Sequence, residues 1–250
     1  MIRTVAVEAL DHLPTDDPAA MRSRLDLQRI HRFMGTRQRL VQALRKFAGT
    51  LDAKRPLRVL ELGAGDGSLM LAVARSLGAG FPAVDLTLLD RQALVSQAAI
   101  ASYAELGWQA RLVTVDVLDW TADAARVSGH ITADTDWDAV VTSLFLHHFE
   151  GPPLAALLRK VAGCSRFFVA CEPRRAGLAL AARRQDGLMG ANAVTRQDAV
   201  LSVHAGFADQ ELSGLWPQPH ASWSLREGPA GLFSHSFEAE RLSAMGHGTH

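Results

Sequence analysis

At 250 residues, 48% of them apolar, the chain is long enough for one α/β domain with added helices and a sizeable core. Lys plus Arg (26) equals Asp plus Glu (26), so no strong overall field favours nucleic acid or an acidic membrane surface. Two cysteines, Cys164 and Cys171, without a C-x-x-C pair, make no disulfide framework and no zinc ribbon. Together with the absence of a leader-like N-terminus or an eighteen-residue apolar run, they fit a cytoplasmic protein without a membrane span.

Residues 1–16 read as a loose arm. Asp17-Pro18 then has the form of an N-cap followed by proline in the first helical turn, and a helix is predicted to run to Met34, where Gly35 breaks it. Thr36 is placed to cap a second helix, whose Leu40, Val41, Leu44 and Phe47 follow helical spacing. Strand-like runs follow at Leu57–Leu62, Leu86–Leu89, Leu112–Val115, Asp138–Ser143 and Phe167–Cys171. Between them, Leu69, Met70, Val73, Ala74 and Leu77 form one helical face closed by Gly78. Leu154, Leu157, Leu158 and Val161 form another, closed by Gly163. Repeated β–α units imply a doubly wound parallel sheet with helices on both faces. Further on, Thr195 and Asp198 have the spacing of a capping pattern, and Gly206 ends that helix. "WSLRE" and "GLFSHSFEAE" then read as an antiparallel hairpin, and the final MGHGTH as frayed.

The chemistry concentrates in "VLELGAGDGS". Gly63, Gly65 and Gly67 sit at alternate positions just after a strand, where a sharp turn or the close approach of a ligand needs bare backbone. Ser68 stands where a dinucleotide fingerprint has glycine or alanine. Asp90 closes the next strand, twenty-three residues after Gly67, where a carboxylate can accept both hydroxyls of a ribose. Asp116 follows the third strand and reads either as a loop cap or as an acceptor for an adenine amino group. Asp119 and Trp120 are weaker signals, the indole reading as core cover.

The series "VLELGAGDGS", "LTLLDRQ", "LVTVDVLDW", "WDAVVTSLFLHHF" and "FFVACEPRR" resembles the class I S-adenosylmethionine-dependent methyltransferases over roughly residues 57–175. The resemblance implies a Rossmann-like, seven-stranded, mostly parallel sheet with an antiparallel C-terminal hairpin. It implies that Glu61, Gly63, Ala64, Gly65, Asp90, Arg91, Asp116, Val117 and Leu144 surround S-adenosylmethionine. Residues 1–50 become an arm and helical cover, and residues 51–250 the main domain, with a helical insertion at about 176–220. The (Asp/Asn)-Pro-Pro-(Tyr/Phe) sequence of nucleic-acid amino methyltransferases is missing after the fourth strand, as is the Asp and Asn-Asp pattern of metal-dependent catechol methyltransferases. The expectation is therefore neither a nucleic-acid substrate nor a metal.

"LHHF" is similar to small-molecule branches acting on phenols and quinols, and the stretch from Asn192 to Pro217 to methyltransferases of aromatic polyketide and phenolic-lipid pathways. His147 and His148 are candidates for the general base, because imidazole titrates near neutrality. Phe33, Met34, Arg174, His204 and His235 are candidate substrate contacts, with ordinary packing or solvation as the other reading. Met189, Phe207 and Trp216 are apolar pocket candidates on the same terms. The expectation is O-methylation of a small aromatic acceptor by a monomer or homodimer. Carbon or nitrogen methylation, a nicotinamide-dependent oxidoreductase and a non-catalytic binding protein remain open.

Overall fold

A computed structural model describes residues 2–6, 8, 10, 13–14, 17–52, 54–122, 136–175, 193–219 and 222–242; the side chains of Phe33, Ala193, Arg196 and Gln197 lie outside that set. The elements are α1 (Pro18–Met34), α2 (Thr36–Ala48), β1 (Leu57–Leu62), α3 (Ser68–Leu77), β2 (Val84–Asp90), α4 (Gln97–Glu105), β3 (Trp108–Thr114), α5 (Val117–Thr121), β4 (Trp137–Ser143), α6 (Gly151–Cys164), β5 (Ser165–Pro173), α7 (Ala193–Ala205), α8 (Glu211–Leu215), β6 (Trp223–Pro229) and β7 (Ser234–Arg241). A single 3-10 turn, Leu146–His148, follows β4.

The seven strands form one sheet in the order β3-β2-β1-β4-β5-β7-β6. β1 to β5 are parallel, and β7 enters antiparallel between β5 and β6. β1 lies beside both β2 and β4, so successive connections leave in opposite directions from it. A crevice opens at such a switch point, outside the carboxyl ends of the strands.

Period-two alternation divides the core. Leu57 and Val59 of β1 join Leu44 and Phe47 of α2, Met70 and Val73 of α3, and Tyr103 of α4 on one face. Leu60 and Leu62 join Trp120 of α5, Leu157 and Val161 of α6, and Trp216 on the other. Glu61, by the same alternation, falls on the α2–α3 side.

Several local expectations change. Gly35, at φ +69°, serves as both the C-cap of α1 and the N-cap of α2, so Thr36 does not cap; its hydroxyl lies 3.8 Å from the Cys171 thiol instead. α6 continues through Gly163 to Cys164. β3 begins four residues before Leu112: it is an edge strand whose Gln109 and Arg111 break the apolar run without ending the pairing with β2. Thr195 and Asp198 are not a capping pair. They are buried inside α7, where Thr195 Oγ1 bonds Asp26 Oδ2 (3.0 Å) and Asp198 Oδ2 accepts from the Leu10 N–H (3.0 Å), tying α7 to α1 and to the arm. The arm is docked too. Arg3 donates to the carbonyls of Ala205 (2.7 Å) and Phe149 (2.8 Å) and stacks over the Phe207 ring (4.3 Å). Met189, residues 176–192 of the insertion and the final MGHGTH lie outside the described residues. No helix among the described residues is long and apolar enough to cross a membrane.

Candidate functional site

The crevice holds a cavity of about 530 Å³ whose floor is the carboxyl edge of β1, β2 and β4 and whose cover is the arm, α1 and Ser202 of α7. All nine residues expected around the cofactor line it: Glu61, Gly63, Ala64, Gly65, Asp90, Arg91, Asp116, Val117 and Leu144. So do His147 and His148.

The glycine loop is shaped by backbone rather than by side chains. Gly63, Gly65 and Gly67 have φ of +69°, +56° and +73°, a region that L side chains rarely adopt. A Cβ on Gly63 would lie 2.3 Å from the Phe145 ring, whereas one on Gly65 would meet no protein atom within 4 Å. Leu144, the residue after β4, is a non-glycine at φ +50°, and backbone strain of this kind gathers at sites that need a particular chain path.

Asp90 braces the loop. Its Oδ2 accepts from the Gly65 N–H (2.8 Å) and its Oδ1 from the Gln92 N–H (2.9 Å). A carboxylate offers about four acceptor positions, so two remain for a ligand's hydroxyls. Asp116 fulfils the capping role: its Oδ1 accepts from the Leu118 N–H (2.8 Å) at the start of α5, while the residue also lines the cavity. Trp120 is core cover, as read.

Acidic side chains gather close to the loop, and Arg24 and Arg91 line the same cavity. Asp66 Oδ1 accepts from the Ser68 N–H (2.9 Å), placing a carboxylate on the N-terminus of α3, and Asp66 Oδ2 accepts from Gln28 of α1 (3.0 Å). Glu61 is buried, and its Oε2 has no hydrogen-bond partner. Burial, then the nearby charges of Asp90 and Asp66, hold its carboxyl well above the usual carboxylate range. His31 of α1 also faces the cavity with its Nδ1 unpartnered; burial pushes its pKa down to about 4, against the pull of Asp66 and Glu172.

At the "LHH" turn a second constellation forms. Glu172, at the end of β5, is wholly buried and accepts from the backbone N–H groups of Phe145 (3.1 Å) and Leu146 (3.1 Å). It also lies 2.8 Å from His147 Nδ1. His147 Nε2 lies 3.4 Å from Glu8 Oε1 of the arm, without hydrogen-bond geometry. Burial lowers the His147 pKa, but the hydrogen bond to Glu172 and the nearby charges of Glu172 and Glu8 outweigh it and raise the group to about 9. Burial likewise opposes ionisation of Glu8, yet His147, His148 and Ser202 hold its carboxyl below the usual value. The two histidine rings lie 4.3 Å apart, beside Phe145 and Phe149.

Of the five candidate substrate contacts, Met34, Arg174, His204 and His235 do not line this cavity. Met34 is buried against the hairpin, its carbonyl accepting from Ser234. His235 is buried on β7 with its Nε2 2.9 Å from Glu227 Oε1, so burial beside a carboxylate explains it structurally. Arg174 Nη1 approaches the Gly231 carbonyl at the hairpin turn (3.5 Å). His204 offers its carbonyl to the Thr4 N–H, and the Phe33 side chain is outside the described set. Phe207 and Trp216 are core residues. Sequence reasoning missed Glu8, Gln28, His31 and Asp66. Asp66 was visible as the one acid inside the glycine loop; the others reach the site only because the arm and α1 fold back over it.

No protein-family model matches the sequence and no curated protein matches it. Solved structures do share the fold. The plantazolicin methyltransferase BpumL, in complex with SAH, superposes with a TM-score of 0.62 at 13% identity, over 94% of this chain and 93% of that one. An O-methyltransferase family protein from Burkholderia thailandensis does so at 0.54 and 16% identity, over 84% and 57%. Magnesium protoporphyrin IX methyltransferase from Synechocystis PCC 6803 with bound SAH matches at 0.51 and 16% identity, over 93% and 91%. The chain therefore has the fold of the class I S-adenosylmethionine-dependent methyltransferases.

Proposed function

We propose that the protein transfers a methyl group from S-adenosylmethionine to the hydroxyl of a small aromatic acceptor. One observation carries the choice of cofactor: the glycine loop is ringed by acids. Asp66 already occupies the helix N-terminus where a pyrophosphate binds in dinucleotide enzymes, and the unpartnered Glu61 carboxyl faces the same cavity. The Asp66 and Asp90 carboxylates repel phosphates and favour a ligand carrying ammonium and sulfonium groups, while the buried Glu61 carboxyl, its pKa well raised, offers a polar group rather than a charge. The nicotinamide reading loses its support here. The residues fit an adenosyl amino acid: Asp90 has acceptor capacity for ribose hydroxyls, Asp116 and Val117 stand one loop further on, and Gly65 leaves open space.

When bound, S-adenosylmethionine supplies a methyl already activated on a positively charged sulfur. The chain's part is to align the acceptor and manage its proton. The acceptor's hydroxyl proton would pass to a polar group beside it, and His147, His148 and Glu8 are the ones that line the cavity. Phe145 and Phe149 offer flat apolar walls for a ring, and the polar groups beside them are His147, His148 and Glu8. Packing of a ring against such walls would shed water, which favours joining an anionic oxygen to a cationic methyl.

The test is transfer of labelled methyl to a panel of phenols, quinols and alkylresorcinols by wild type, H147A and H148A. Label in ether linkage, with turnover lowered by about 100-fold or more in at least one variant and cofactor affinity nearly unchanged, is expected. Transfer only to carbon or nitrogen across the panel would reject the hydroxyl assignment.

A further inference from the structure

We propose that Glu8, His147 and His148 form a binding site for one divalent transition-metal ion of the zinc class. One carboxylate oxygen and one nitrogen from each imidazole lie within 4.8 Å of one another. Two imidazoles and a carboxylate are a donor set that suits zinc, with a fourth position left open. Tetrahedral ligands at zinc distances sit about 3.3–3.5 Å apart, and His147 Nε2 and Glu8 Oε1 are already 3.4 Å apart.

The independent observation is the state of His147. The residue is only 2% exposed, yet its Nε2 has no hydrogen-bond partner and faces Glu8 across the cavity wall. Its other nitrogen, Nδ1, is fixed 2.8 Å from Glu172, and Glu172 is itself held by three backbone N–H groups. A buried carboxylate orienting the far nitrogen of an imidazole is the outer support that metal-binding histidines characteristically have. Glu8 arrives on an arm anchored by Arg3, and Ser202 Oγ donates to the same carboxylate oxygen that faces His147. The third donor is thus delivered by a segment that closes over the cavity.

All three residues line the cavity shared with the glycine loop, so the open position faces its contents. Water or the oxygen of an acceptor hydroxyl would complete the coordination. That last role rests on the methyl-transfer reading; the binding of the ion does not. Glu8 lies far from the two histidines in the chain, so only the fold brings the three together, and the proposal departs from the expectation of no metal.

The experiment uses the full chain, stripped with a chelator and titrated with Zn²⁺ by calorimetry and with Co²⁺ by visible absorption. One equivalent of Zn²⁺ and an intense tetrahedral Co²⁺ spectrum are expected in wild type. E8Q and H148N, which retain every other histidine, should each bind at least 10- to 100-fold more weakly and lose the spectrum, with circular dichroism unchanged. E172Q, which removes the brace and no ligand, should weaken Zn²⁺ by about 10- to 100-fold. Wild-type binding no tighter than that of the E8Q/H148N double variant would overturn the site, leaving His147 as a metal-free imidazolium bridging two carboxylates. Binding of S-adenosylhomocysteine, measured in the same preparations, separates this failure from failure of the methyl-transfer reading.

Discussion

Replacing Gly65 and Gly63 by alanine separates folding from binding, because the two positions share a backbone conformation and differ in their surroundings. Both have φ in the left-handed region, at +56° and +69°. That region costs an L residue about 1–2 kcal/mol, and nothing else opposes a Cβ at Gly65, which meets no protein atom within 4 Å. In a domain of this size 1 kcal/mol moves Tm by about 2–4 °C, so G65A should fold and melt about 2–8 °C lower. At Gly63 the Cβ would stand 2.3 Å from Phe145 Cδ2. Phe145 cannot retreat freely, since its ring packs edge-on to Phe149 and its N–H bonds Glu172. Adding about 1–3 kcal/mol for overpacking makes the G63A cost about 2–5 kcal/mol. The assay is thermal unfolding with and without S-adenosylhomocysteine. In wild type a ligand at a hundred times its Kd stabilises by about 2.7 kcal/mol, or about 5–11 °C. G65A should lose most of that shift, because the space its methyl takes belongs to the ligand's cavity. A G65A protein that binds with wild-type affinity would refute the argument that bare backbone here serves the ligand.

Two further outcomes follow from the same geometry. Glu61 has a raised pKa in the folded chain, so its contribution to stability is full below its unfolded pKa of about 4.3 and is lost as pH rises through the folded value. E61Q does not titrate, so wild type should lose stability relative to E61Q as pH climbs from about 4; parallel denaturation midpoints across that range would contradict the assignment. R3A removes the bonds to Ala205 and Phe149 and the stacking on Phe207. It should cost about 1.5–3 kcal/mol and raise hydrogen exchange in residues 2–8, and an unaltered exchange pattern there would mean that the arm is held by other contacts.

The sheet was legible because its signals are local. β1 reads directly from Leu57–Leu62, and the hairpin from the alternation of Phe233, His235 and Phe237. Glycine punctuation placed the end of α3 and the break after α1. β3 was read short because an edge strand tolerates Gln109 and Arg111, which hide its period. Thr195 and Asp198 misled because their spacing fits a cap, while their burial against α1 and the arm is a tertiary fact. The cofactor half of the site lies along consecutive strand ends, so motif order reaches it. The cover of the cavity is assembled across the chain: Glu8 meets His147, and Gln28 meets Asp66, only after the arm and α1 fold down. Arg174 and His235 do not line the cavity and have partners of their own, the Gly231 carbonyl and Glu227. His147 carried a visible signal for the site, while its pairing with Glu172 and Glu8 depended on the fold.

The measurement that most directly tests the account is calorimetric titration of the protein with S-adenosylhomocysteine, beside D90A and beside NADH. One-to-one binding of the nucleoside is expected, weakened by about 10-fold or more in D90A as the loop brace and ribose acceptor are lost (about 1.4 kcal/mol or more), with no heat from NADH. Binding of NADH in its place, or nucleoside binding that D90A leaves untouched, would contradict it.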